Sequence, residues 1–167
     1  MLALYVMRHA KSDWTVSDAS DFERPLNKRG MKDVPRVGRA LQGTGLLPQR
    51  VITSPAARAL ATAEGIASEL TPPPELVHDE RIYRSGPHVM SSVVAGFGSG
   101  ASCVMAVGHN PGMEEWIEML CGAAVRLPTA GLARIELEIG DWSQLRDGGG
   151  ELQGLVTPRL LKGMGVG

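Results

Sequence analysis

The sequence predicts an α/β fold, a three-layer sandwich in which helices flank a mostly parallel central sheet. Three observations carry this expectation. Short apolar runs alternate with stretches of helical periodicity along the chain. Two of the runs, Leu2 to Met7 and Ser102 to Val107, have the pattern of strands covered on both faces. At two places, Ser54-Pro55 and Asn110-Pro111, a strand leads through a turn and a proline into a helix.

Element by element, Leu2 to Met7 is the first strand and stops at Arg8-His9. Ala10 to Pro25 is polar and irregular. Met31, Val34, Val37 and Leu41 then recur at spacings of three and four, a helix that Pro35 kinks or starts and that Gly43 and Gly45 end. Val51 to Thr53 is a second strand. Ser54 supplies a capping hydroxyl and Pro55 a first-turn proline for an Ala-rich helix from Ala56 to Leu70. Pro72-Pro73-Pro74 breaks the chain before a third strand, Glu75 to His78, and a short helix from Pro87 to Ala95. After the fourth strand, Asn110 caps a helix that has Pro111 in its first turn and runs to Cys121. Leu132 to Ile139 alternates as a strand, Asp147 to Gly150 turns, and Leu152 to Thr157 is the last strand.

The chain has 167 residues, the size of one domain. We expect a single domain over residues 1–161 and a frayed tail from Lys162 to Gly167. A formal net charge of −1 offers no basic excess for nucleic acid, and no polybasic run suggests a membrane surface. No apolar run approaches the roughly 20 residues that span a bilayer. Met1 to Met7 lacks the flanks of a signal peptide. Cys103 and Cys121 have neither metal-ligand spacing nor the density of a disulfide scaffold, so a reducing cytoplasm is the expected compartment.

In a parallel sheet, ligands bind beyond the carboxyl ends of the strands. Arg8-His9 follows the first strand, Arg58 lies one turn into the helix after the second, and His109 follows the fourth. Two arginines and two histidines at one edge suit a phosphate, because a guanidinium fork binds its oxygens bidentately. Neighbouring cations disfavour protonation of an imidazole, and a neutral imidazole facing phosphorus is a nucleophile. Phosphoryl transfer to His9, then hydrolysis, is the expected chemistry. It needs no metal or cofactor, because the arginines and His109 neutralise the equatorial oxygens.

The same residues resemble a known family. Leu4-Tyr5-Val6-Met7-Arg8-His9-Ala10-Lys11-Ser12 is similar to the opening of the histidine phosphatase superfamily, most of all to its small SixA-type phosphohistidine phosphatase branch. Asp21-Phe22-Glu23-Arg24-Pro25-Leu26 with Gly30, Thr53-Ser54-Pro55-Ala56-Ala57-Arg58-Ala59 with Thr62-Ala63, Val107-Gly108-His109-Asn110-Pro111 and Thr157-Pro158-Arg159 resemble further segments, in the family's order. The resemblance implies a phosphoglycerate mutase-like sandwich. It implies His9 as the phosphorylated nucleophile, Arg8 and Arg58 as phosphate ligands, and His109 as the group that stabilises the transition state. It also implies a general acid after the second helix, where Glu80 stands; Asp18 and Asp21 are alternatives. Lys11 and Ser12 follow the nucleophile closely enough for a phosphate-side role.

An alkoxide leaving group needs a proton, whereas a leaving imidazole already carries one. A weak acid and a chain too short for a roof over the site therefore favour phosphohistidine on a partner protein of the phosphorelay or phosphotransferase type. A small-molecule phosphomonoesterase acting on sugar or nucleotide phosphates is the alternative within enzymes, and a non-catalytic phosphate-binding module the alternative outside them. Trp14 reads as a residue at the mouth of the site or as packing. Trp116, Met90, Met105 and Met119 read as core, Trp142 as an anchor near a turn, and His78 and His88 as carrying no motif.

Overall fold

The computed structural model describes residues 1–167. Six strands, β1 (Leu2–Arg8), β2 (Arg50–Thr53), β3 (Glu75–His78), β4 (Cys103–Gly108), β5 (Leu132–Leu137) and β6 (Gly150–Val156), form one sheet in the order β3-β2-β4-β1-β5-β6. Five helices accompany them: α1 (Lys28–Thr44), α2 (Ala57–Ser68), α3 (Pro87–Phe97), α4 (Gly112–Cys121) and α5 (Pro158–Gly163). β3, β2, β4 and β1 are mutually parallel. β5 runs against β1, and β6 against β5, so β6 again shares the direction of β1. The carboxyl ends of every strand except β5 therefore lie along one edge.

The apolar runs are continuous because alternate side chains enter two different cores. Leu4 and Val6 of β1, Ile52 of β2 and Val104 and Ala106 of β4 join one cluster, covered by Met90, Val93 and Val94 of α3 and by Met113, Trp116, Ile117 and Leu120 of α4. Tyr5 and Met7, Val51, and Cys103, Met105 and Val107 join the other, covered by Val34, Val37 and Leu41 of α1, Ala59, Ala63 and Ile66 of α2, and Leu161 of α5. This is the expected three-layer sandwich. Trp116 is fully buried, Trp142 nearly so with its indole N–H donated to the Ala101 carbonyl 2.7 Å away, and Met119 is partly buried against the first cluster.

Several local expectations are corrected. α1 begins at Lys28, seven residues before Pro35, because the Asn27 side chain accepts the Gly30 N–H at 2.9 Å and caps it. Pro35 sits inside the helix, and Gly45, at φ 69°, ends it in the left-handed conformation. Met31 is 57% exposed, so of the four apolar positions only Val34, Val37 and Leu41 are buried. Neither Ser54 nor Asn110 caps a helix: the caps are Ala56 and Pro111, one or two residues on. Tertiary partners engage both side chains instead. The segment after Lys162 continues α5 to Gly163. Arg36 then donates to the Val166 carbonyl at 3.0 Å and Arg39 to that of Gly167 at 2.6 and 2.9 Å, which lays the end of the chain along α1.

Candidate active site

His9 leaves the end of β1 tied to its neighbours. Its N–H bonds the Gly108 carbonyl of β4 at 3.0 Å. The next amide, Ala10 N–H, donates to Thr62 Oγ1 at 2.9 Å, and Thr62 donates in turn to the Arg58 carbonyl at 2.6 Å. The loop after β1 is thus fastened to the start of α2. The residue is only 8% exposed. Its Nδ1 lies 2.7 Å from the Ala10 carbonyl, which can only accept, so the hydrogen-bond pattern assigns the proton to Nδ1. Nε2 then carries the lone pair, and Arg58 Nε donates to it at 3.2 Å. Burial, aided by the Arg58 and Arg8 guanidiniums, pushes the His9 pKa down to about 4.

His109 faces it from the end of β4, with ring centroids 5.0 Å apart. Its Nε2 lies 2.9 Å from Ser54 Oγ, and that oxygen already accepts the Ala56 N–H at 3.2 Å. With the Ser54 hydroxyl proton turned to His109 Nε2, the ring is the tautomer protonated on Nδ1; with the second Ser54 lone pair turned to it, the proton sits on Nε2. Tyr83 packs edge-on against the ring at 5.4 Å. Burial, then His9 and Arg58, bring the His109 pKa down to about 3. Both histidines are neutral at physiological pH.

Arg8 is braced from outside the cluster. Its NH1 donates to the Leu127 carbonyl at 3.1 Å, and Asn110 Nδ2 donates to the same oxygen at 3.0 Å. The Leu127 N–H donates to Glu114 Oε1 at 2.7 Å. One peptide segment beyond α4 thus sets the guanidinium's direction. Arg8 Nε and His109 Nδ1 are buried and have no hydrogen-bond partner within the chain. A buried donor left unpaired costs about 1–3 kcal/mol. Arg8 Nε, and His109 Nδ1 in the tautomer that carries its proton there, are donors that an anionic oxygen would satisfy.

Asp21, on the loop after β1, meets four groups. Its carboxylate accepts the Tyr83 hydroxyl at 2.7 Å and Arg58 NH2 at 3.2 Å, pairs with Arg24, and reaches Arg84 at 3.4 Å. Arg58 NH1 also donates to its backbone carbonyl. The Tyr83 hydroxyl, with Arg58 and Arg24, holds this carboxyl far below the usual carboxylate range. In this arrangement it is an acceptor and a holder of Arg58, with no proton to give. Arg24 also lies 3.5 Å over the Trp14 ring, and that indole is 72% exposed.

The structure brings together His9, Arg58 and His109, with Arg8 close enough to depress both histidines. Glu80, Asp18 and Ser12 make no side-chain hydrogen bond or ion pair to these four residues. Glu80 is exposed in a one-turn 3-10 segment, Glu80–Ile82, and its carboxylate makes no hydrogen bond. Asp18 is exposed and accepts only from Ser17, at 3.4 Å. Ser12 is buried and pairs with Leu26 as an isolated antiparallel bridge, and no hydrogen bond joins it to His9 or either arginine. No group of three His, Cys, Asp or Glu side chains is placed to hold a metal ion. Sequence reasoning missed Tyr83, Glu114 and Leu127 and took Ser54 for a cap. A serine that directly follows a strand at the ligand-binding edge was the one signal available.

Residues 4–82 match the profile of the histidine phosphatase superfamily (branch 1). A chloroplastic protein of Arabidopsis thaliana, itself uncharacterised, is 30% identical over 93% of this chain and 77% of its own length. Among solved structures, a protein from Nakamurella multipartitia provisionally named SixA phosphohistidine phosphatase is 26% identical, with a TM-score of 0.80 over 94% of this chain and 96% of that one. The protein histidine phosphatase SixA complexed with tungstate has the same fold at 23% identity, with a TM-score of 0.82 over 96% of this chain and 99% of that one. The profile covers the first arginine, the first histidine and the second arginine, and the relatives extend the likeness along nearly all of the remainder. The chain belongs to the histidine phosphatase superfamily.

Proposed function

We propose that this chain is a phosphatase that removes the phosphoryl group from phosphohistidine on a partner protein, through a covalent intermediate on His9. The observation that carries this reading is the His9 imidazole itself. It is buried, protonated on Nδ1 by its contact with the Ala10 carbonyl, and keeps on Nε2 a lone pair whose partner within the chain is Arg58 Nε, a donor that a phosphate oxygen would draw away. In the first step that lone pair forms a bond to phosphorus while the substrate's P–N bond breaks. The departing imidazole takes the bonding electrons and keeps the proton on its other nitrogen. Arg8 Nε, Arg58 and His109 Nδ1–H bind the equatorial oxygens as charge builds on them. In the second step a water oxygen attacks phosphorus, the P–N bond to His9 breaks and its electron pair returns to Nε2, and a proton of the attacking water passes to bulk solvent, leaving hydrogen phosphate.

Phosphohistidine is favoured over an alkyl phosphate because no carboxylic acid stands ready to protonate a leaving oxygen. Asp21 is held ionised and Glu80 lies exposed without a partner. The names of the SixA relatives support the same substrate class. No helix of the chain is long and apolar enough to cross a membrane. We take the cytoplasm as the place of action, which suits two unpaired cysteines.

The test is a neutral-pH quench during turnover of a phosphohistidine protein, followed by peptide mapping. A phosphate adduct on the His9 peptide, lost together with activity in His9→Ala, is the expected outcome. Turnover that survives in His9→Ala would remove the mechanism. Release of phosphate from sugar or nucleotide phosphates but never from phosphohistidine would make the chain a small-molecule phosphomonoesterase. Binding of phosphohistidine without release would make it a recognition module.

A further inference from the structure

A second positively charged feature lies outside the reacting cluster. Lys28, Arg29, Lys32 and Arg36 of α1 and Arg159 and Lys162 of α5 line an open cleft of about 490 Å³, with Asp33 its one acidic residue. Six cations and one carboxylate leave a surplus of five positive charges there, on a chain whose formal net charge is −1. Lys28, Lys32 and Arg36 stand at i, i+4 and i+8 on one stripe of α1. Like charges at that spacing weaken a helix. The fold recovers part of this at one place only. Asp33 is buried, accepts from Arg36 at 2.9 Å and lies 3.4 Å from Arg29 Nε. Lys28, Lys32, Arg159 and Lys162 are exposed and enter no ion pair.

Topology puts this cleft on the same edge of the sheet as His9. The first turn of α1 packs against the segment that follows the nucleophile: Asn27 N–H donates to the Lys11 carbonyl at 2.9 Å. A Cβ on Gly30 would come within 2.3 Å of that oxygen, so the approach requires glycine. α5 starts directly beyond the carboxyl end of β6, which runs in the direction of β1. The amino end of α1 adds its own partial positive charge.

We propose that the α1–α5 cleft is the docking surface for an acidic face of the phosphohistidine-bearing protein. This rests on the reading of the function given above. His9 is only 8% exposed, so a phosphorylated side chain has to enter while the body of its protein stays outside, against neighbouring surface. The free cations of the cleft are long exposed side chains spread over two helices. Such a field steers and orients a broad acidic surface, and its effect falls with salt. A single small anion is better served by buried, aimed donors of the kind that surround His9.

The test compares two substrates in one preparation of the full chain: a phosphorylated histidine-containing phosphotransfer domain of net negative charge, and phosphoramidate. The variant is Lys32→Glu with Arg159→Glu and Lys162→Glu. A neutral version with Gln at all three positions keeps the comparison open if the reversed charges disturb folding. At low salt, kcat/KM for the protein substrate should fall roughly 10- to 100-fold, mostly through KM, since electrostatic steering is worth about 10–10³ in association rate. The difference from wild type should shrink at high salt, and hydrolysis of phosphoramidate should not change. Unchanged kcat/KM and salt dependence with the protein substrate would overturn the docking surface while leaving the proposed function standing. An equal fall with phosphoramidate would overturn it too, by showing that these residues act on the reacting site. A wild-type chain that hydrolyses phosphoramidate but not the phosphotransfer domain would instead remove the proposed function.

Discussion

The neutral state of the two facing histidines should be visible as acid sensitivity of the fold. In the unfolded chain both imidazoles titrate near their ordinary value of about 6.5. In the folded chain burial and the arginines hold His9 at about 4 and His109 at about 3. Between these values the unfolded state binds protons that the folded state refuses, so stability falls as pH falls. The contribution is intact above about pH 6.5 and is lost progressively below it. At about pH 5 each histidine should have removed about 2 kcal/mol of unfolding free energy, from about 1.36 kcal/mol per pH unit over about 1.5 units. That figure depends on the unfolded value and the chosen pH, and hardly on how far below 5 the folded value lies. Asp21 has a depressed pKa, so its own contribution is lost only as pH falls below the ordinary carboxylate range, outside this window. The assay is urea unfolding at about pH 8 and about pH 5. Wild type should lose about 4 kcal/mol through the pair, and His109→Asn only about 2 kcal/mol, because one titrating group is gone. Equal losses in both proteins, or a His9 imidazole that titrates near 6.5 by NMR in the folded chain, would refute the depressed titration of the pair and the burial argument behind it.

Two further outcomes follow from the site. Arg58→Ala should lower kcat/KM about 10²–10³-fold, the usual loss for one preorganised donor, while Asp21 keeps Arg24, Arg84 and Tyr83 and the fold persists. Full activity in the folded fraction, with a sharply lower melting temperature, would make Arg58 structural. Glu80→Gln should barely change the rate on phosphohistidine and should reduce any activity on an aryl phosphate more. Loss of phosphohistidine hydrolysis by orders of magnitude with the fold intact would make Glu80 an obligatory acid and move the small-molecule phosphomonoesterase forward.

Much of the site was legible because its parts sit at strand ends, and strand ends are marked by where apolar runs stop. Arg8 and His9 end the first run, and His109 follows Gly108 at the end of β4. The second arginine was legible for a related reason, as the first turn of a helix that follows a strand. The candidates that failed to join the cluster lay on irregular segments. Nothing in the pattern around Asp18 or Glu80 says which way a loop carboxylate points, and both face solvent. Asp21 does reach Arg58, but the company of Tyr83 and two further arginines decides that it stays ionised. Ser54 shows the same limit from the other side. Its local sequence suits a helix cap, and a partner 55 residues away takes the hydroxyl instead.

The sequence by itself determined the layers, the two-sided burial of the central strands, and the edge at which the arginines and histidines gather. Those follow from periodicity, which each segment carries whole. Tertiary structure alone decided the aim of each group: the Leu127 carbonyl that fixes Arg8 from 119 residues away, the Tyr83 hydroxyl that anchors Asp21 across 62, and the meeting of α1 with α5 that joins two unremarkable basic stretches into one cleft. The physical reason is that a hydrogen bond or an ion pair is satisfied by whichever free partner the packed chain brings within about 3 Å. That partner is set by the docking of whole elements, and local sequence carries no record of it.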